Sequence, residues 1–319
     1  MDIAFFALKR LASAVVVVFA VSILTFLIFV AIPNGDPALR LAGRTATLQD
    51  IANVRRAYGF DKPIWVQYVK LMHQISTGQI QSYTQHVTVF SQLERGYPAT
   101  LSLAIGAAII WLLVGTVLGV IGAMRAGKAT DVAITTVSFA GISAPSFVLG
   151  GVLLYLLTFK VQVFPQGDYF PITSDPLQWA EHLVLPWITL AVLYVGIYAQ
   201  VLRSSVLEAM TTDAVRTARA KGLSPARVMI KHVLRVSLIP IASLWGLDFA
   251  AVLAGTTLVV EKVFNLHGIG QYAADSVRSL DVPPVLVVTL LGAVLVVLMN
   301  AIVDVLYAVL DPRIRAASA

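Results

Sequence analysis

EAMTTDAVRTARAKGLSPARVMIKHVLRVSLIP, residues 208–240, is a polar and strongly basic island in an otherwise apolar chain. Apolar runs flank it, at about 183–201 and 238–260, each reaching the length of about 18 residues that lets a helix cross a bilayer. The island is therefore a loop at a membrane surface. Thr212 or Asp213 can cap a short helix, because either side-chain oxygen can accept from an orphan N–H one turn on. Gly222 suits the left-handed position just past that helix. Ser224-Pro225 reads as a second cap with proline at the first helical position. The expectation is a short helix, a turn at Gly222, and a second helix that runs into the next apolar stretch.

Outward from the island the same contrast repeats. The 319 residues are 58% hydrophobic and 13% charged, with a mean hydropathy of +0.83, against about 45–50% and about 25% in soluble domains. This is the composition of an all-α integral membrane protein. Further apolar runs lie at about 11–32, 101–123, 133–159 and 285–310, making six expected transmembrane helices. The first has a positive flank at Lys9 and Arg10 and exceeds the apolar core of a signal peptide, about 7–15 residues, so it is expected to remain as a span. The organisation follows: residues 1–32 form the N-terminal segment and first span, and 33–97 a sizeable extramembrane loop or subdomain, part helical near 64–75. Residues 98–310 form a core of five helices that includes the basic region 204–237, and 311–319 a tail.

Charge sets the sides. Lys9, Arg10, Arg125, Lys128, Arg313 and Arg315 share a face with Arg203, Arg216, Arg219, Lys221, Arg227, Lys231 and Arg235 of the island. Asp168, Asp175, Glu181, Glu261, Asp275 and Asp281 fall on the other. The positive-inside rule places both termini and the island in the cytoplasm. It also accounts for the net charge of +6 without any nucleic acid.

Several chemistries are excluded or unsupported. There is no cysteine, hence no disulfide, thiol catalysis or thiolate metal site. Gly122…Gly127-Lys128-Ala129 imitates a phosphate-binding loop, but it has alanine where the magnesium-binding hydroxyl belongs and follows a span rather than a strand. His73, His86, His182, His232 and His267 are scattered without metal-ligand spacing. No span centre holds a histidine to serve as base for an intramembrane nucleophile. Asp248, Asn300 and Asp304 lie in spans, where polar groups either bridge helices or line a wet pathway. Pro145 should kink or break its helix. Gly115-x-x-x-Gly119 and Gly150-Gly151 suit close helix contacts. In the island Ala214, Ala218 and Gly222 repeat every fourth residue, a small-residue stripe flanked by Arg216, Arg219 and Lys221. Bulky apolar anchors for a lipid surface are missing, so a groove on a cytoplasmic protein fits better.

These residues resemble a known family. The permease subunits of ATP-binding-cassette importers carry E-A-A-x-x-x-G on a cytoplasmic loop before the penultimate span; here the positions read Arg216-Thr217-Ala218-Arg219-Ala220-Lys221-Gly222. The longer form of the dipeptide/oligopeptide branch, D-[YF]-V-R-T-A-R-A-K-G-L, is similar to Asp213 through Leu223, with Ala214 in the aromatic slot. Gly35-Asp36-Pro37-Ala38, Tyr58-Gly59-Phe60-Asp61-Lys62-Pro63, Pro98-Ala99-Thr100-Leu101, Ser143-Ala144-Pro145-Ser146-Phe147, Gly268-Ile269-Gly270 and Asp311-Pro312-Arg313 follow in the branch's order. The resemblance covers essentially the whole chain and is specific as a set. It implies the type I importer permease fold and half of a translocation pathway. Its implied partners are a second homologous permease, two ATPase subunits or one double-domain ATPase, an extracytoplasmic peptide-binding protein, and membrane lipid. It places the chain in the bacterial cytoplasmic membrane. It implies no catalysis and no cofactor in this chain, with ATP and magnesium held by the ATPases. Asp213 with Arg216 through Gly222 would form the coupling helix, and Asp248, Pro145 and Asn300 are candidates for the pathway. The cargo stays open among dipeptides, longer peptides, nickel chelates and other small solutes. A secondary transporter is the reading of another class, against which stands the lack of internal repeats.

Overall fold

The computed structural model describes residues 3–31, 37–43 and 46–310. Among the described residues the regular structure is helical, apart from one isolated bridge between Gln81 and Thr88. The order is α1 (Ile3–Phe26), α2 (Pro37–Ala42), α3 (Leu48–Tyr58), α4 (Ile64–Ser76), α5 (Val89–Met124), α6 (Ala129–Ser143), α7 (Ser146–Leu153), α8 (Pro176–Met210), α9 (Asp213–Ala220), α10 (Pro225–Val228), α11 (Arg235–Ala251), α12 (Leu258–Phe264), α13 (Ile269–Arg278) and α14 (Val282–Leu310). Wider π-type turns continue α1, α7 and α11 and join α10 to α11.

Among the described residues four helical runs are long and apolar enough to cross a membrane: Val89–Met124, Pro176–Met210, Pro225–Thr256 and Val282–Ile302. A fifth span is possible as the pair α6 and α7, which is bent by 101°. The bend falls where Pro145 was expected to break the helix. Ala144 is driven to an extended ψ of 121°, as a residue before proline prefers. The first apolar run is helical from Ile3 to Phe26 and continues in a wider turn to Ala31. The Gly35-Asp36 motif, the tail from Asp311 and the Asp304 side chain lie outside the described residues.

The centre is the packing of α5 on α8, made possible by missing side chains. A Cβ on Gly115 would stand 2.6 Å from Tyr198 Cβ, and one on Gly119 would stand 2.8 Å from the Ala199 carbonyl. Backbones thus approach as closely as small residues allow. Gly150 is similarly pressed on Thr189, whereas Gly151 faces open space, so only half of that expectation holds. Trp111, fully buried, packs its ring 4.5 Å from that of Tyr194. Trp187 lies over Gly106 and donates from Nε1 to the Ser102 carbonyl at 2.9 Å.

The long segment before α5 is built on the core. α3 opens on a capping box between Thr47 and Asp50 and ends at Gly59 with φ +79°. A second buried cluster joins Leu71 and Ile80 of this segment to Phe26, Val89, Leu93, Ile269, Leu286 and Val287. Burial of Val89 and Leu93 explains why α5 begins at Val89, well ahead of the apolar run at 101. The loop before α14 completes the tie. Buried Asp281 accepts from the Ser82 hydroxyl, the Tyr83 N–H at 2.9 Å, and the Thr84 N–H and hydroxyl at 3.3 and 2.7 Å.

Candidate functional site

The basic island folds as a short helix on a seat. α9 spans Asp213–Ala220, and Lys221 and Gly222 close it, Gly222 at φ +74°. Thr212 holds the cap position, but its hydroxyl makes no cap bond; it donates back to the Ala209 carbonyl at 2.7 Å. That oxygen lies in the last turn of α8 and also accepts from the Thr212 N–H at 3.2 Å, so the hydroxyl closes α8 and does not cap α9. Asp213 sits in the first turn, where its charge suits the helix dipole. Ser224 precedes Pro225 at the first position of α10, also without a side-chain cap bond.

The small-residue stripe is divided by the fold. Ala218 (4% exposed) and Val215 (0%) turn inward into the buried cluster that contains Val206 and Ala209 of α8 together with Val228 and Val233. Ala214 and Gly222 stay exposed. Val215 is thus the anchor of α9 to its own chain, and not a contact for another protein. The outward face presents Asp213, Arg216, Thr217, Arg219, Ala220 and Lys221. Arg216 approaches Asp213 at 3.5 Å, with side chains 73% and 96% exposed, a pair that solvent weakens and leaves available to others. This surface offers guanidiniums with forked donors, suited to carboxylates.

Behind α9, Arg203 on α8 binds Asp131 of α6 through two parallel bonds, Nε to Oδ1 at 2.6 Å and Nη2 to Oδ2 at 2.8 Å. The Gly127 N–H donates to the same carboxylate at 2.9 Å. The glycines that imitated a phosphate loop therefore serve an internal turn. Among the described residues no cluster of His, Cys, Asp and Glu could hold a metal.

The three pathway candidates lie on different elements. Asp248 of α11 is half-buried and accepts from the Tyr198 hydroxyl of α8 at 2.9 Å. Asn300 of α14 keeps its Oδ1 buried without a hydrogen-bond partner among the described residues. Pro145 is exposed at the bend between α6 and α7. No hydrogen bond joins them among the described residues.

Residue reasoning missed the buried carboxylate at the opposite end. Glu261 of α12 is 0% exposed and lies beyond the span that ends at Thr256. It accepts from the Thr100 hydroxyl of α5 at 2.7 Å and from the Gln271 N–H of α13 at 2.7 Å. Thr100 in turn accepts from the Ile269 N–H at 2.9 Å. Burial pushes the Glu261 carboxyl above the usual range, while its donors act in the other direction. A Cβ on Gly268 would stand 2.5 Å from this carboxylate, which gives the Gly268-Ile269-Gly270 motif a steric reason. The signal in the sequence was a lone acid seven residues before that glycine, which charge counting assigned to the surface.

Comparison with known proteins adds the family context. Residues 115–316 match the family described as binding-protein-dependent transport system inner membrane component, and residues 3–104 match the one described as binding-protein-dependent transport system membrane component, N-terminal. A probable peptide ABC transporter permease protein of Sinorhizobium fredii is 37% identical, over 97% of this chain and 99% of its own. The di/tripeptide transport system permease protein of Pseudomonas aeruginosa is 36% identical, over 97% and 98%. The glutathione transport system permease protein of Salmonella paratyphi A is 35% identical, over 97% and 98%.

Proposed function

Because this chain belongs to the family of binding-protein-dependent transport system inner membrane components, we propose that it forms half of the translocation pathway for short peptides, driven by separate ATPase subunits through α9. The observation that carries this reading is the build of α9: Val215 and Ala218 anchor it in the chain's own core, and its arginines face outward. Such a helix is rigid with respect to the spans and free to engage a partner. ATPase closure displaces it, and the spans move between inward-open and outward-open forms. A second, homologous permease completes the pathway, and an extracytoplasmic binding protein delivers the cargo. The chain has six spans, α1 and the bent α6–α7 pair among them, with both termini in the cytoplasm. The cargo is a short peptide, in keeping with relatives named for peptide, di/tripeptide and glutathione transport, and Asp248 is the candidate to meet its ammonium group.

The test uses the complex co-purified with its ATPases and reconstituted with loaded binding proteins. Gly222→Trp puts a bulky group where a Cβ meets nothing within 4 Å of its own chain, but its φ of +74° strains any side chain there, so the yield of assembled complex is measured beside uptake and Gly222→Ala, strained alike but small, is the control. Uptake should fall at least about fivefold, the low end of ordinary coupling energies, while ATP hydrolysis continues. Normal peptide uptake by this variant would sink the coupling role of α9. Stimulation only by a nickel-chelate-loaded binding protein would move the cargo to another class.

A further inference from the structure

The cytoplasmic ends of α5, α6 and α8 meet at one carboxylate. Asp131 is 4% exposed, and its oxygens are satisfied by the forked guanidinium of Arg203 and by the Gly127 N–H. Gly127 has φ +78°, which lets the loop after α5 turn its N–H back onto the acid. Gly122 lies against the pair: a Cβ there would make ordinary contacts, 3.4 Å from Arg203 Cδ and 3.6 Å from Asp131 Oδ1. Elsewhere α6 and α8 touch through small and apolar groups. A Cβ on Gly196 would meet the Ser138 carbonyl at 2.6 Å, and one on Gly141 would meet Val192 at 3.1 Å. Those contacts keep the helices side by side without fixing one against sliding or turning on the other. A bidentate ion pair does both, since two parallel bonds restrain orientation as well as distance.

The position along the chain matters. Arg203 lies ten residues before Asp213 (213 − 203), and α8 runs without a break from Pro176 to Met210, to the turn that opens α9. Asp131 lies in the first turn of α6, whose far end is the 101° bend. We propose that Arg203 and Asp131 are positioning residues of the transport step, a clamp that makes α6 follow α8 when α9 is displaced. With the clamp, motion of α9 reaches the bend at Ala144-Pro145; without it, the end of α8 moves and α6 slips. The proposal rests on the permease reading and adds to it the route by which α9 acts.

The experiment measures ATP hydrolysed per peptide imported, in proteoliposomes holding the full complex and a peptide-loaded binding protein. Arg203→Lys keeps the charge but replaces the fork by a point donor. It should assemble, hydrolyse ATP near the normal rate, and raise the ATP-to-peptide ratio at least about fivefold. Asp131→Ala should do the same or more. The exchange Asp131→Arg with Arg203→Asp should bring the ratio back toward normal. Thr130→Ala, beside the acid but bonded to Arg125, should leave it unchanged. A normal ratio in assembled Arg203→Lys and Asp131→Ala complexes, with only the yield reduced, would overturn the clamp and leave a brace. Failure of Arg203→Lys to assemble would overturn it as well, since the pair would then hold the fold rather than transmit motion. Absence of ATP-driven uptake by the unaltered complex would instead overturn the permease reading beneath it.

Discussion

At the scale of residues, the glycines and the buried acid at the α12–α13 corner make the sharpest claims. Gly268→Ala forces a methyl to 2.5 Å from the Glu261 carboxyl and 2.6 Å from the Thr100 hydroxyl. Overpacking of this kind costs about 1–3 kcal/mol, and it should lower the melting temperature of the detergent-solubilised protein. Gly151→Ala, in a helix and with nothing within 4 Å, should raise stability by about 0.5–1 kcal/mol. Glu261 adds a pH dependence. Burial raises its folded value above the unfolded one, so in the interval between them the folded state holds more protons. Stability is then full below the ordinary glutamate value of about 4.3 and declines as pH climbs through the raised folded value. Thermal melts of Glu261→Gln should lack that slope; an identical slope in the variant would assign it to another group.

Among the elements, α9 shows how far a motif reads. Its helix, its turn at Gly222 and its basic face follow from local chemistry: a left-handed site wants glycine, and arginines avoid lipid. Which side of it is buried does not, because an eight-residue helix has Val215 and Ala218 as well as Ala214 to offer a neighbour. Val215→Asp should cost at least about 2 kcal/mol for burying an unpaired polar group, seen as loss of folded subunit after extraction. Thr217→Asp, on the exposed face, should leave the melt within about 0.5 kcal/mol yet reduce co-purification of the ATPases. Equal loss of folded protein in both variants would contradict the orientation of the helix. The bend at Pro145 was legible because proline acts on its own backbone and on its neighbour. The early start of α5 was not, since Val89 and Leu93 are held by residues remote in sequence.

For the whole molecule, the segment before α5 is a folded part of the structure and not a slack loop. Asp281 holds it from nearly two hundred residues away, accepting from Ser82, Tyr83 and Thr84. Asp281→Asn replaces an acceptor oxygen by an amide that faces donors, and each group left unsatisfied costs about 1–3 kcal/mol. Limited proteolysis should cut within residues 46–88 faster in this variant while the α5–α8 pair persists. Unchanged cleavage would show that the apolar cluster around Leu71 and Ile80 suffices. The same long reach underlies Arg203 with Asp131 and Glu261 with Thr100, pairs that bind one helix to another at the two ends of the core.

The sequence alone determined the class, the four long apolar helices from residue 89 on in outline, the break at Pro145 and the basic helix, because hydropathy, proline stereochemistry and charge act over one turn or one span. It placed Glu261, Asp281 and Arg203 as surface charges by side of the membrane. Only the tertiary structure decided that these three hold the molecule together. Their partners lie 161, 199 and 72 residues away, and a charge becomes a tie only when another element brings donors or a counter-charge to it out of water.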